Sequence, residues 1–407
     1  MTLVIPAKAG TPAASTSAPL RPEVPAFAGT MGSAGRTSPG TALYVHWPFC
    51  VSKCPYCDFN SHVRESVDQA QWREALLKDL AWEAAVFGGS PLTSIFFGGG
   101  TPSLMEPATV AAVIEAADRP WGLAETVEIT LEANPSSVEA GRFADLAAAG
   151  VNRVSLGLQS LDDDALRFLG RAHDVDEGAA ALSTAQKCFD RVTFDLIYAL
   201  PDQSGAAWAA ELERALGFGT GHVSLYQLTI EPGTRFAAMA ARGELRARDP
   251  DEAATLYELT QQLTAAAGLP AYEISNHARP GDESRHNLAY WRYGNYLGIG
   301  PGAHGRRNGC ATRRHRKPEN WLAALARNGH GLAEETPLSA RERSTEALLM
   351  GLRLSEGVDL ETVRPALDLG SMERLERQGL LARKGGRLAV QPAARLLLDA
   401  ILAEIAA

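Results

Sequence analysis

The sequence predicts an α/β protein whose main part is an incomplete (β/α)6 barrel, followed by a small helical, winged-helix-like domain. From residue 41 onward, short β-rich runs alternate with helical segments, and this alternation implies a parallel sheet with right-handed crossovers. The chain has 407 residues, enough for a barrel of roughly 200–250 residues and smaller appended units. Having six units rather than the eight of a closed barrel would leave one side open.

The predicted strands are short β-rich runs, and the segments between them have the apolar spacing of helices. The strands are Leu43–His46, Thr93–Phe97, Val127–Leu131, Arg153–Gly157, Val192–Ile197 and His222–Leu228. The intervening helices are Gln69–Phe87, Pro107–Asp118, Ser137–Ala149, Asp176–Cys188 and Ala206–Gly217. A helix at Asp251–Ala267 and a strand at Ala271–Ser275 are expected to follow.

Composition divides the chain into four segments. Residues 1–40 are rich in Ala, Gly, Pro, Ser and Thr and are expected to be a disordered extension. Residues 41–275 would form the partial barrel, and residues 276–338 would cap it, with residues 276–330 expected to be irregular. Residues 339–407 would form the winged-helix-like domain, because Gly385–Gly386 separates two short apolar runs as in a hairpin.

Charge, hydropathy and cysteine content disfavour a nucleic-acid-binding, a membrane-spanning and a disulfide-rich secreted protein. The formal net charge is −9 and the pI about 5.6, which disfavours nucleic acid as a partner. No stretch approaches the ~20 apolar residues of a transmembrane helix, and no signal peptide is evident. Three of the five cysteines lie within eight residues, which indicates a metal site in a cytoplasmic protein rather than a disulfide framework.

Unusual polar residues follow the ends of the predicted strands, where β/α barrels carry their reactive groups. They are Cys50–Cys57, Gly98–Pro102, Glu132 and Asn134, Gln159, Asp195 and Glu231. Polar residues are common at strand ends, but chance explains the whole series poorly. We therefore expect these side chains to converge on one rim.

The cysteines form a C-x3-C-x2-C motif at Cys50, Cys54 and Cys57. Thiolates are the ligands of iron–sulfur clusters, and three of them would leave the fourth iron of a cubane open. The main alternative is a structural zinc site completed by His46 or His62, since zinc requires four ligands.

This motif is the signature of the radical SAM enzymes, in which the open iron binds S-adenosylmethionine. The sequence resembles their oxygen-independent coproporphyrinogen dehydrogenase group from about residue 41 to the C-terminus. The matching segments are Tyr44–Phe59, Gly98–Pro102, Leu131–Pro135, Arg153–Ser160, Gly170–His173 and Phe194–Pro201. The resemblance implies a [4Fe-4S] cluster, a reductant protein for it, and an S-adenosylmethionine site lined by Tyr44, Gly99, Gly100, Thr101, Glu132, Gln159, Arg171 and Asp195.

Two features point to the heme-chaperone branch of that group. Phe59 stands where the dehydrogenase has a further cysteine, and His286, Asn287, Tyr290 and Trp291 form an HNxxYW motif. In the family this motif is implicated in heme binding, and histidine is a common axial ligand of heme iron. Nearby arginines are expected to pair with heme propionates: Arg306, Arg307, Arg313, Arg314 and Arg316.

The resulting hypothesis is a heme chaperone that binds the cluster, S-adenosylmethionine and heme, and passes heme to an acceptor protein. One alternative is the dehydrogenase reaction, oxidative decarboxylation of coproporphyrinogen III to protoporphyrinogen IX. Another is a non-catalytic zinc or nucleic-acid adaptor that uses the C-terminal domain.

Overall fold

The structure, a computed structural model, describes residues 40–407. The extension expected at residues 1–40 lies outside the described residues, except for Gly40. The barrel strands are β1 (Thr41–Trp47), β2 (Phe49–Cys50), β3 (His62–Val63), β4 (Leu92–Gly99), β5 (Leu123–Ala133), β6 (Arg153–Gln159), β7 (Arg191–Tyr198) and β8 (His222–Gln227). The helices of this part are α1 (Gln69–Val86), α2 (Pro107–Trp121), α3 (Ser137–Ala140), α4 (Phe143–Ala148), α5 (Asp163–Phe168), α6 (Val175–Cys188), α7 (Gly205–Leu216), α8 (Arg235–Ala241) and α9 (Pro250–Ala266).

The six predicted strands pair in parallel in the order β1-β4-β5-β6-β7-β8. Their outward side chains, such as Leu43, Ile95 and Leu131, are fully buried against the surrounding helices. Capping side chains begin several of these helices, as at α6, where Asp174 and Glu177 form a reciprocal capping box. The predicted β/α architecture is confirmed.

Further strands extend the sheet at both ends. They are β9 (Asn276–Ala278), β10 (Asn295–Ile299), β11 (His304–Arg307), β12 (Cys310–Arg314) and β13 (Leu332–Pro337), with α10 (Arg285–Trp291) and α11 (Pro318–Asn328) between them. Among the described residues, the full order is β13-β12-β11-β10-β1-β4-β5-β6-β7-β8-β9. Because β13 and β9 are free edges of this linear order, the barrel is open.

Two local predictions are wrong. The strand expected at Ala271–Ser275 is a turn, in which Tyr272 N donates to Asn276 O at 3.1 Å, and the strand begins only at Asn276. Residues 276–330, expected to be irregular, contribute β9, β10, β11 and β12 to the sheet. Their arginine-rich sequences, HGRR in β11 and CATRR in β12, hide the strand signal because the guanidinium groups are neutralised by partners distant in sequence.

The partners of Arg307 and Arg314 are acidic residues of α1, buried against the added strands. Arg314, with no exposed side-chain surface, contacts Asp79 at 3.3 Å and Glu83 at 2.5 Å. Arg307 also contacts Glu83 at 2.5 Å. Asp79 further accepts hydrogen bonds from the Trp321 indole and from backbone N–H groups of Gly300 and Gly331, at 2.9–3.2 Å. This buried ionic cluster joins α1 to the strands that follow residue 294.

The C-terminal domain has a separate hydrophobic core. A three-stranded antiparallel sheet has the order β14-β16-β15, and β15 and β16 pair across Gly385–Gly386 as the sequence predicts. With helices packed on this sheet, the unit is winged-helix-like. Its elements are α12 (Ala340–Gly351), β14 (Val358–Asp359), α13 (Leu360–Val363), α14 (Leu369–Arg377), β15 (Leu381–Lys384), β16 (Arg387–Val390) and α15 (Leu398–Ile405).

Within residues 40–407, no helix combines the length and the apolar character that crossing a membrane requires.

The buried ionic cluster predicts a large loss of stability when one charge is removed. Asp79→Asn leaves Arg314 without one of its counterions in a dry environment, and we expect it to lower the free energy of unfolding by about 3–5 kcal/mol. Urea unfolding followed by circular dichroism measures this change. Glu115→Gln is the control, because its ion pair with Arg119 is solvent-exposed and should matter little. Equal stability of both variants would contradict this role for the cluster.

Candidate functional site

The three motif cysteines lie in a loop that directly follows β1. Cys50 ends β2, which pairs in parallel with β3 and so closes the loop on itself. Within the loop, Cys57 N donates to Cys54 O at 3.2 Å. All three thiols are half-buried and free. The loop therefore presents three unlinked sulfur ligands at the carboxyl end of the sheet.

Burial disfavours the thiolate forms of Cys50 and Cys57, so a bound metal would be needed to keep them ionised. Burial, followed by neighbouring thiols, raises the pKa of Cys50 to about 11, although a hydrogen bond from Thr101 acts in the opposite direction. Burial also raises the pKa of Cys57. Without a bound cation these groups stay protonated at neutral pH, whereas iron would hold them as thiolates. Three such sulfurs fit an iron–sulfur cluster.

His46 is poorly placed to complete a zinc site. Its Nε2 lies 3.0 Å from the Asn60 carbonyl, to which it must donate, and its Nδ1 accepts from the Tyr44 hydroxyl at 2.9 Å. Burial lowers the pKa of the ring to about 4. Both ring nitrogens of this neutral histidine are therefore engaged. In the part of the chain that the structure describes, no three His, Cys, Asp or Glu side chains lie close enough to share one metal ion.

The Gly-rich loop after β4 passes directly beside the cysteine loop. Gly99 has φ +116°, and an added Cβ would lie 2.5 Å from the His46 ring. At Gly100 a Cβ would lie 2.5 Å from the Phe49 carbonyl oxygen. Thr101 N donates to that same oxygen at 2.8 Å. Only glycine permits this close approach, so the loop's sequence sets the spacing of the two segments.

A pair of carboxylates lines the barrel interior below the Gly-rich loop. Glu132 accepts a hydrogen bond from Gly99 N at 3.0 Å, and burial, followed by the charge of Asp195, raises its pKa to about 7. Burial also raises the pKa of Asp195, which accepts from Ser155 Oγ at 3.3 Å. Neither carboxyl group forms an ion pair with a basic side chain in the part of the chain that the structure describes, and two such carboxyl groups suit a cationic or hydroxyl-rich ligand.

Arg171 and Gln159 lie on the side of β6. Arg171 donates to the Gly157 carbonyl at 2.9 Å, to Asn134 Oδ1 at 2.7 Å and to Cys54 Sγ at 3.4 Å. Gln159 ends its strand with φ +67°, an uncommon conformation for a non-glycine residue. Asn134, which the sequence marked only by its place after a strand, therefore bridges to a cysteine through Arg171.

The HNxxYW motif forms α10, which packs against β4 and β5. His286 Nδ1 lies 3.1 Å from Ser94 Oγ, and its ring stacks on Phe96 with centroids 4.8 Å apart. Its backbone N–H donates to Glu128 at 3.2 Å, and burial lowers the pKa of the ring to about 4. Asn287 donates to the Tyr272 hydroxyl at 3.4 Å.

The other half of the motif packs elsewhere. Tyr290 meets Trp291 and Tyr296 edge-on, with ring centroids 5.0 and 5.2 Å apart. Trp291 is buried with Met350 and Leu354. The four motif residues therefore divide between the barrel interior and the junction with the C-terminal domain.

The motif and the cysteine loop lie near opposite ends of β4. Ser94, the partner of His286, precedes Gly99 by five positions, which corresponds to about 16 Å of extended strand. The structure thus separates His286 from the three cysteines, although both border the same barrel interior.

The arginines expected to pair with propionates are mostly engaged within the protein. Four of them form ion pairs: Arg306 with Glu346, Arg307 and Arg314 with Glu83, and Arg313 with Glu334. These four arginines already have acidic partners in the protein, and their pairing with heme propionates stays a prediction. Arg316, which forms no ion pair within the described residues, lines a cavity of about 290 Å³ beside Cys57, together with Lys53 and His62.

Comparisons with known proteins agree with this architecture. The family model of the radical SAM superfamily matches residues 44–215, and that of the HemN C-terminal domain matches residues 338–397. The heme chaperone HemW of Escherichia coli K12 is 38% identical over 348 residues, which cover 81% of this chain and 90% of that protein. The mouse protein named radical S-adenosyl methionine domain-containing protein 1, mitochondrial, is 42% identical and covers 91% of this chain and 88% of its own.

Among solved structures, the fold matches coproporphyrinogen III oxidase (HemN) from Escherichia coli, described as a radical SAM enzyme. The TM-score is 0.76 over 90% of both chains, at 22% identity, so this likeness shows a shared fold. The sequence identities extend over most of each relative. The chain therefore belongs to the radical SAM superfamily and, within it, to the HemN-like group that includes the heme chaperone HemW.

Proposed function

We propose that this protein is a heme chaperone on a radical SAM scaffold, which binds a [4Fe-4S] cluster, S-adenosylmethionine and heme and transfers heme to an acceptor protein. One observation carries the proposal: the cysteine loop, the carboxylate pair and the HNxxYW helix border a single barrel interior in a chain similar to heme chaperones over about four fifths of its length. A cytoplasmic location is part of the proposal, because the cysteines must stay reduced.

The cysteines and the residues around them would hold the cluster and S-adenosylmethionine. Cys50, Cys54 and Cys57 would ligate three irons, and the fourth iron would be open to the amino and carboxylate groups of S-adenosylmethionine. Glu132 beside Gly99 would accept hydrogen bonds from the iron-bound amino group, and the Arg171 guanidinium suits the carboxylate. The whole proposed lining is Tyr44, Gly99, Gly100, Thr101, Glu132, Gln159, Arg171 and Asp195.

The state of His286 suits an iron ligand. Its lowered pKa keeps the imidazole neutral at pH 7, which ligation requires. Ser94 engages Nδ1, while Nε2 makes no hydrogen bond to a described residue. Such a contact to one nitrogen orients the other for a metal. Asn287, Tyr290 and Trp291 would complete the heme contacts proposed for this motif.

The second candidate is the dehydrogenase itself, favoured by the fold shared with HemN. Phe59 occupies the place of the dehydrogenase's further cysteine, which counts against it. Besides heme, the proposed partners are the acceptor protein and a protein that reduces the cluster. Nucleic acid is not proposed as a partner.

The cluster assignment predicts iron content. Anaerobically reconstituted protein should contain about four irons and four sulfides per chain, and Cys54→Ser should lose most of both. Cys188→Ser is the control, since Cys188 packs against the hydrophobic core and should not affect metal content. Iron and sulfide assays measure this. One zinc per chain instead of iron would contradict the proposal.

The heme assignment predicts a saturable Soret shift that depends on His286. His286→Ala should weaken heme binding by roughly tenfold or more, as loss of metal-shell contacts generally does. His330→Ala is the control, because His330 packs against Trp82 of α1 and contacts none of the four motif residues among the described residues. Anaerobic heme titration followed by absorbance measures both. A full cluster without specific heme binding, together with conversion of coproporphyrinogen III, would support the dehydrogenase.

The carboxylate pair predicts a pH dependence of S-adenosylmethionine binding. With a pKa of about 7, Glu132 is ionised in about one molecule in ten at pH 6 and about nine in ten at pH 8. Since the ionised form would accept hydrogen bonds from the amino group more strongly, affinity should rise roughly tenfold between these values. Equilibrium dialysis with the reconstituted protein measures it. Glu132→Gln should bind weakly at both pH values, whereas Glu125→Gln, exposed on the same strand, should retain the wild-type profile.

A further inference from the structure

The side-chain amide of Asn134 connects two groups that donate hydrogen bonds to cysteine sulfurs. Its Oδ1 accepts from Arg171 Nη2 at 2.7 Å, and its Nδ2 donates to Thr101 Oγ1 at 3.2 Å. In turn, Arg171 Nη1 donates to Cys54 Sγ at 3.4 Å, and Thr101 Oγ1 donates to Cys50 Sγ at 3.5 Å. The five side chains form a continuous chain from one thiol to the other.

The direction of each bond follows from the groups involved. Guanidinium nitrogens have no acceptor capacity, so Arg171 must donate to both Asn134 and Cys54. Because the Asn134 N–H occupies a lone pair of the Thr101 hydroxyl, the hydroxyl proton is free to point at Cys50. One amide therefore orients two donors toward two different sulfurs.

Asn134 is itself firmly held. Its backbone N–H donates to Glu139 at 2.8 Å, and the buried Glu139 carboxylate also accepts from the Ser103 hydroxyl. Thr101 is buried, and Arg171 is fixed from its other side by the Gly157 carbonyl at 2.9 Å. A donor held in place without a bound ligand needs little reorganisation when the charge on its acceptor changes.

We propose that Asn134 is a positioning residue that raises the reduction potential of the cluster, by holding the Thr101 hydroxyl and the Arg171 guanidinium against its thiolate ligands. The proposal rests on the proposed cluster. Hydrogen bonds to the ligating sulfurs are one of the levers that set the potentials of iron–sulfur clusters. Adding one electron makes the cluster and its thiolates more negative. Donors aimed at the sulfurs therefore stabilise the reduced form more than the oxidised form.

The test is a potentiometric titration of the anaerobically reconstituted full-length protein, without S-adenosylmethionine, followed by electron paramagnetic resonance. Asn134→Leu keeps a side chain branched at the same carbon and removes both hydrogen bonds of the side-chain amide. Thr101→Val removes the hydroxyl that donates to Cys50. We expect both to shift the midpoint potential to more negative values with unchanged iron content. Thr101→Ser keeps a hydroxyl, so its midpoint potential should equal that of the wild type.

Two further variants sharpen the test. Thr109→Val removes a buried hydroxyl that has no hydrogen-bond partner among the described residues, so its potential should equal that of the wild type. The double variant of Asn134→Leu and Thr101→Val should shift by less than the two single shifts combined, because both act through the same hydroxyl.

Wild-type potentials in fully loaded Asn134→Leu and Thr101→Val would overturn the proposal. If Asn134→Leu fails to take up a full cluster, the comparison of Thr101→Val with Thr101→Ser decides, and equal potentials in that pair would overturn it. Failure of the wild-type protein itself to bind iron would instead refute the proposed function. The two failures are therefore distinguishable.

Discussion

The register between β1 and β4 is the constraint on which the candidate site depends. Trp47 pairs with Gly99, and two further backbone bonds continue the match, from Gly100 N to Trp47 O at 2.7 Å and from Thr101 N to Phe49 O at 2.8 Å. The cysteine loop and the Gly-rich loop therefore leave the sheet side by side. If β1 slipped by one residue against β4, Tyr44 and the other side chains that face the interior would turn to the outer face. The two loops would then no longer lie side by side.

Buried arginines on the outer side of the sheet have acidic partners, whereas two buried carboxyl groups of the interior have no such counterion among the described residues. On the outer side of the sheet, the guanidinium groups of Arg307 and Arg314 are matched by α1 carboxylates at 2.5–3.3 Å. In the interior, Glu132 and Asp195 form no ion pair with a basic side chain of residues 40–407, and their pKa values are raised. Unpaired buried carboxyl groups are costly for the fold. Their retention here is consistent with a cationic ligand that offsets the cost when it binds.

The sequence predicted the parts that depend on local pattern. The six barrel strands are apolar runs, and the cysteine and glycine motifs follow strands directly, so strand order alone brings them to one rim. It could not predict β11 and β12, because their buried arginines, Arg307 and Arg314, are neutralised by a carboxylate more than 200 positions away. The linking role of Asn134 was also hidden, since it depends on contacts with Thr101 and Arg171 rather than on spacing. The division of the HNxxYW motif between two surroundings likewise follows from packing.

Hydrogen bonds and packed aromatic rings connect the cysteine loop to the HNxxYW helix. The Asn60 carbonyl, in the cysteine loop, accepts from His46, and His46 accepts in turn from the Tyr44 hydroxyl. Tyr44 packs against both Phe96 and His286, with its ring centroid 6.2 Å from each of theirs. At the far end, Trp291 of the same helix packs into the C-terminal domain. In the proposed function, cluster and heme would not share ligands. Packed rings therefore connect the cysteine loop to His286, and α10 connects His286 to the C-terminal domain.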